Sequence, residues 1–439
     1  MTKSVFFLLI ILECYLPVIH AQSKHGSSSR YPSYQGLVMC GYQGWFRAEG
    51  DGSGEGWVHY GVEGKLDPRD VHIDLWPDVS EYKISYPTSF LEPDGTPARV
   101  FSSWDDSTVD LHFLWMQEYG IDGVFVQRFF CATRTEQSRR ESRVVLEHAF
   151  KASQKYGRAI AVMYDLSGIK ASSEDCSSII QDWKELVDQL KITSQGTNQT
   201  YLYDKGKPVI AIWGLGFQDR PYNIHNIGIE KLINFLKHDP KYGGCAVMLG
   251  VPTHFRDLDV DCLPDPYLQK VMASADIIMP WMVGRFTPPL HNETQRYAVQ
   301  IKDDIAWCAE RHLEYVPCVY PGFSWYNLSR IEFSGAAHPL NQIPREKGNF
   351  YWDQIRIAMD SGAKMLYVAM FDEMDEGTAI FKCTNKPPVG SQFLNYEGLS
   401  SDYYLWLTGK AGQMLRGEIS FSKQLPVRNG QAQRLNSQP

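Results

Sequence analysis

Eight short apolar runs recur along the chain, at residues 37–42, 123–127, 160–164, 209–213, 246–250, 277–281, 316–320 and 365–371. Most are continuous rather than alternating, the pattern of parallel strands covered on both faces. Amphipathic stretches with helical spacing lie between them, at 110–119, 136–156, 178–190, 229–237, 294–311 and 351–361. Strand and helix patterns in alternation predict βα units, and eight of them predict a (β/α)8 barrel. A doubly wound α/β sheet is the alternative this pattern leaves open. In the barrel, residues just past each strand form the functional face.

About 80 residues separate the first and second runs, and they include the Gly-rich segment Gly50-Asp51-Gly52-Ser53-Gly54-Glu55-Gly56. The expectation is a loop insertion over the barrel mouth, not a second domain. These glycines neither open a helix nor keep dinucleotide-fingerprint spacing. Residues 1–21 combine Lys3 with the apolar run 5–12 and end at Ala21, as an export signal would. The run is too short for a membrane span of about 20 residues, and Glu13 fits poorly before Cys14 as a lipidation site. No later window approaches such a span. The expected organisation is a signal at 1–21, one barrel domain at 30–416 and a polar, disordered tail at 417–439. The protein is expected to be exported, secreted or periplasmic.

Composition narrows the chemistry. A formal net charge of −8 without Lys/Arg runs excludes the basic footprint of a nucleic-acid binder. Aromatic residues reach 13%, more than a core of this size requires, which suits a site that stacks flat, partly apolar ligands such as sugars. The 12 histidines show no ligand spacing, and the cysteines remaining after the signal form no CxxC pair or zinc pattern. Of these, Cys245 and Cys318 sit in apolar runs and read as buried thiols. Asp257-Leu258-Asp259-Val260-Asp261 begins like a calcium loop but has Cys262 at the sixth position and Leu268 at the twelfth, so no EF-hand metal is expected. Glycosylation sequons occur at Asn198, Asn292 and Asn327.

The most informative stretch follows the eighth run: Phe371-Asp372-Glu373-Met374-Asp375-Glu376-Gly377-Thr378-Ala379-Ile380. Four acids at the functional face of a barrel repel one another, so burial there can hold one carboxyl protonated near neutral pH. Glycosidic cleavage needs such an acid and base pair. Positions three apart on a strand face opposite ways, so Glu373 and Glu376 meet only across a turn, and Gly377 is placed to permit one. An acidic loop that caps a helix or binds a cation has equal weight from composition alone.

This string resembles the Glu-x-x-Glu-Gly-Thr catalytic motif of glycoside hydrolase family 99, the endo-α-mannosidases and endo-α-mannanases. The whole chain, over roughly residues 35 to 415, looks like the 71/99-like branch. Gly41-Tyr42-Gln43-Gly44-Trp45-Phe46, Gly123-Val124-Phe125-Val126-Gln127-Arg128 and Gly250-Val251-Pro252-Thr253-His254 add to the likeness. The resemblance implies a retaining hydrolase of α-linked glycans that works through a 1,2-anhydro sugar without a cofactor. It implies that Glu373 is the base at the sugar 2-hydroxyl and Glu376 the acid/base at the leaving group. Met374 and Asp375 depart from the aromatic and polar residues common between the glutamates, which weakens transfer of mannan specificity. A catalytically inactive carbohydrate-binding barrel and an exo-acting xylosidase- or arabinosidase-type hydrolase are the alternatives.

Other residues past strand ends are candidates for substrate contact: Tyr42, Trp45, Arg128, Asp165, His254, Trp281, Tyr320, Trp325, Asp372 and Asp375. Each has a plain competitor. Arg128 fits a structural ion pair equally well, Asp165 a helix cap, and His254 a polar loop contact. Any one of the rings at Trp281, Tyr320 and Trp325 fits packing. The expected partner is an oligo- or polysaccharide, with no nucleic acid, no metal and no stable membrane span.

Overall fold

The computed structural model describes residues 23–428, apart from residues 27, 171–172, 195–198, 289–293 and 333–337. The expected export signal, the sequons at Asn198 and Asn292, and the tail beyond 428 lie outside the described residues. In chain order the strands are β1 (Val38–Tyr42), β2 (Tyr86–Leu91), β3 (Pro97–Val100), β4 (Gly123–Phe129), β5 (Ala159–Asp165), β6 (Tyr203–Asp204), β7 (Lys207–Trp213), β8 (Ala246–Val251), β9 (Ile277–Pro280), β10 (Glu314–Tyr315), β11 (Cys318–Val319) and β12 (Leu366–Val368). The helices are α1 (Asp106–Tyr119), α2 (Phe130–Thr133), α3 (Glu136–Tyr156), α4 (Ser177–Glu185), α5 (Ile229–His238), α6 (Pro266–Met272), α7 (Thr294–Glu310), α8 (Tyr326–Glu332), α9 (Asn349–Asp360) and α10 (Tyr403–Leu415).

Each of the eight apolar runs contributes to one curled parallel sheet, in the order β10-β9-β8-β7-β5-β4-β1-β12-β11. The two ends of that sheet are consecutive in sequence. Pro317 has no N–H to give to a ladder, so the seventh strand is split there into β10 and β11. Val316 N–H donates to Ile278 O at 2.9 Å on one side, and Tyr367 N–H donates to Pro317 O at 3.1 Å on the other. The segment 314–319 thus joins β9 to β12 and completes the (β/α)8 barrel. Every residue of β1, β5, β8 and β9 is buried, as the continuous apolar runs require when helices cover one face and the barrel interior the other.

The final helix, α10, carries no clear periodic signal because nearly its whole circumference is covered. Gly409 is needed there: a Cβ at this position would stand 1.8 Å from Tyr119 O at the end of α1. Residues 417–428 continue from α10 with defined contacts. Arg428 donates to both Asp402 oxygens, at 2.6 and 2.8 Å, and Ser422 N–H donates to the Met414 sulfur at 3.3 Å.

The long connection after β1 forms the antiparallel β2–β3 hairpin and a series of tight turns before α1. Gly50, Gly52, Gly54 and Gly56 all have positive φ and open no helix. The insertion is tied to the chain that follows β12: Asp74 N–H donates to Met374 O, Leu394 N–H donates to Asp74 O, and Pro77 bridges Cys383. It therefore lies beside the acidic stretch and not apart from the barrel. All eight described cysteines are free thiols, with Cys245 and Cys318 buried.

Candidate functional site

β12 ends at Val368, and the chain then turns through the acidic stretch at the C-terminal face of the barrel. Gly377 N–H donates to Met374 O at 3.2 Å, and Gly377 has φ +61°. A Cβ there would meet Ser324 O at 3.0 Å, so glycine answers both a left-handed turn and a close backbone approach. This turn brings Glu373 and Glu376 to the wall of one cleft of about 620 Å³. Trp45, Trp57, His59 and Glu63 from the insertion face them, together with Trp325 and Leu328 from the segment after β11.

Glu373 is 4% exposed. Burial, then the charges of Glu376 and Asp375, push its carboxyl well above the ordinary range, while a side-chain hydrogen bond from Gln43 favours the ionised form. Thr378 Oγ1 donates to it at 3.5 Å. Glu376 is pushed up to about 7 by burial, then by Asp375 and Asp165. The charge of Glu376 adds to the rise at Glu373, so an ionised Glu376 makes ionising Glu373 harder. Such a pair offers an acid and a base at once.

The backbone around the pair is braced by buried carboxylates. Asp372 accepts from Gln43 N–H and Gly44 N–H, both at 2.8 Å, which ties the chain after β12 to the chain after β1. Asp74 accepts from the Ser324 hydroxyl at 2.5 Å, Tyr326 N–H at 2.7 Å and Asn327 N–H at 2.9 Å. It thereby satisfies N–H groups at the start of α8 and fixes Trp325 at the cleft. Burial raises Asp372 to about 7 and Asp74 to about 6.

Not every expected contact residue reaches the cleft. Tyr42 is fully buried, with its hydroxyl 3.0 Å from His112 Nδ1, because β1 turns that side chain into the layer beneath α1. Arg128 is buried and paired through two nitrogens with Asp182, which also accepts from Tyr164. Of its two readings, the ion pair is the one realised. Tyr320 is buried, and its hydroxyl donates to Phe286 O at 2.6 Å. Asp372 spends its oxygens on backbone N–H groups rather than on the cleft. Trp281 packs edge-on against Trp213 at 5.1 Å, and His254 bonds Asp259 at 3.0 Å on the loop after β8. Neither is among the residues lining the cleft. Asp165 is buried, accepts from Ser167 N–H at 2.7 Å, is raised to about 6, and acts on Glu376 through its charge.

Trp45, Trp325, Asp375 and the two glutamates are brought together. His59, Glu63, His72 and Leu328 join them without a motif to mark them, because the insertion folds back by tertiary bonds that spacing does not encode. Gln43 carried one signal: it lies in the Gly41–Phe46 string that follows the first strand.

No family model matches the sequence. A glycoprotein endo-α-1,2-mannosidase-like protein of Danio rerio is 29% identical over 108 residues, which are 24% of this chain and 22% of that protein. The chain thus matches about a fifth of that relative's length. Among solved structures, the GH99 endo-α-mannosidase of Bacteroides thetaiotaomicron in complex with bis-tris propane superposes with a TM-score of 0.60 at 16% identity, covering 89% of this chain and all of that one. A second structure of that enzyme gives the same TM-score and identity over 88% and 99%. In its barrel and in this local stretch of sequence, the chain resembles the family 99 endo-α-mannosidases.

Proposed function

We propose that the protein is an exported glycoside hydrolase that cleaves α-linked glycans of mannan or glucan type, with Glu373 and Glu376 as its acid/base pair. The observation that carries this reading is that both glutamates, with raised proton affinity, line a single ring-walled cleft at the end of β12. Glu373 as a carboxylate removes the proton from the sugar 2-hydroxyl, whose oxygen then attacks C1. Glu376 gives its proton to the departing glycosidic oxygen. The resulting 1,2-anhydro sugar is opened by a water that attacks C1 and gives its proton to Glu376, while Glu373 returns its proton to the sugar O2, so both acids are restored and configuration is retained. Gln43 and Thr378 donate to Glu373 and favour its ionised form against the burial and neighbouring charges that favour the protonated one. The rings of Trp57 and Trp325 give the sugar apolar surface.

The test is hydrolysis of a panel of α-mannans and α-glucans by the purified protein and by Glu373→Gln and Glu376→Gln. Loss of turnover in both variants, with the melting temperature kept, is the expected result. Turnover that survives both substitutions removes these residues from the chemistry. Tight binding without turnover in the unmodified protein assigns a carbohydrate-binding barrel instead. Internal fragments indicate endo action and monosaccharides exo action.

A further inference from the structure

Between the two glutamates stands Asp375, whose side chain is 3% exposed. Its Oδ2 accepts the Nδ1–H of His59 at 3.0 Å, while its Oδ1, also buried, has no hydrogen-bond partner among the described residues. His59 comes from the insertion after β1. Its ring lies flat on Trp45, with centroids 3.6 Å apart and planes within 7°, and Trp45 stacks in turn on Phe129 at 5.2 Å. The imidazole is therefore fixed in plane by the stack and in rotation by the carboxylate. Its side chain is 34% exposed and lines the cleft. The backbone at His59 has φ +62°, a conformation that non-glycine residues adopt at an energetic cost and that persists where surrounding structure enforces it.

A carboxylate that takes the Nδ1 proton settles the tautomer of a neutral imidazole and leaves Nε2 as a lone-pair acceptor. Resting on the hydrolase reading above, we propose that His59 is a substrate-positioning residue: Asp375 holds it so that Nε2 accepts a hydroxyl hydrogen of the sugar bound beside Glu373 and Glu376. Asp375 acts through His59 and does not touch the sugar. The stack also changes which ring meets the substrate. With His59 and Phe129 against it, Trp45 serves as the bed for the imidazole, and the outer face of His59 is the surface this stack presents.

Three variants separate this role from a structural one. His59→Asn tolerates positive φ and keeps a donor for Asp375 but removes Nε2. His59→Phe keeps the stack on Trp45 and removes both nitrogens. Asp375→Asn offers an amide N–H to Nδ1, which moves the ring proton to Nε2 and turns an acceptor into a donor. Histidine side-chain 1H–15N correlation spectra, with His59 assigned by its loss in His59→Asn, are recorded with and without α-linked mannobioses and glucobioses. The expected result is an Nδ1–H tautomer whose Nε2 resonance moves on adding sugar, inversion of the tautomer in Asp375→Asn, and an apparent KM about tenfold higher in His59→Asn with kcat little changed. An Nε2–H tautomer in the unmodified protein overturns the proposal. So does an Nε2 resonance that no sugar of the set moves, even where turnover is seen. A resonance that moves without turnover keeps the proposal and removes the hydrolase reading.

Discussion

Gly377 shows how one residue sets the geometry of the glutamate pair. Its positive φ and its 3.0 Å approach to Ser324 O leave no room for a side chain, so Gly377→Ala is expected to destabilise the protein by about 1–3 kcal/mol. Urea unfolding measures this, and turnover should fall further than stability because the turn also aims Glu376. At the glutamates themselves, Glu376→Gln is expected to lower kcat by about 10²–10⁴-fold, the usual worth of a positioned general acid. Stopped assays across the glycan panel read that loss. Asn327 carries a prediction of a different kind. It is fully buried and donates its amide hydrogens to Ile73 O and Gln392 O, at 3.0 and 2.8 Å. Peptide mapping of protein from a glycosylating host should find Asn327 unmodified, because a glycan would replace one of these donated hydrogens and has no room at a fully buried side chain.

At the scale of elements, the bond between the insertion and the segment after β12 matters more than either part. Asp74 belongs to the insertion, yet it holds Ser324, Tyr326 and Asn327 at the start of α8 and receives its own backbone contact at Met374 O. Asp74→Ala leaves several buried N–H and O–H groups without an acceptor, so a loss of about 2–4 kcal/mol is expected. The displaced Trp325 should raise KM in the same variant, and denaturant titration beside steady-state kinetics separates the two effects. The Arg128–Asp182 pair joins β4 to α4 and is an element-level brace of another sort. Arg128→Met is expected to destabilise by about 3–5 kcal/mol through the carboxylate left unpaired in the interior. Substrate affinity of the folded fraction should stay unchanged, as befits a residue away from the cleft.

For the whole molecule, pH dependence follows from carboxyls whose proton affinity rises on folding. Asp372 and Glu376 are raised to about 7, and Asp74 and Asp165 to about 6, whereas the unfolded chain releases these protons near pH 4. Between those limits the folded state binds more protons than the unfolded state, so stability falls as pH rises from about 4 to 7. Calorimetric scans should show a melting temperature that declines over this window, and a shallower decline in Glu376→Gln. The same architecture separates what was legible in the sequence from what was not. Continuous apolar runs survive in any fold that covers both faces of a parallel sheet, so the eight strands, the barrel they form and the acidic stretch after the last of them were readable from local pattern. The split of the seventh strand at Pro317, the all-round burial of α10 and the inward aim of Tyr42, Arg128 and Tyr320 were not. Residues past neighbouring strand ends look alike in sequence, but whether each faces a cleft or a partner depends on what packs against it. The Asp375–His59 pair spans 316 positions, and only the closed barrel with its folded-back insertion brings the two side chains together. By itself the sequence determined the strands, the acids and the glycine that turns them. The tertiary structure decided which acids are buried together and which rings line the cleft, because burial and charge proximity are properties of packing, not of spacing.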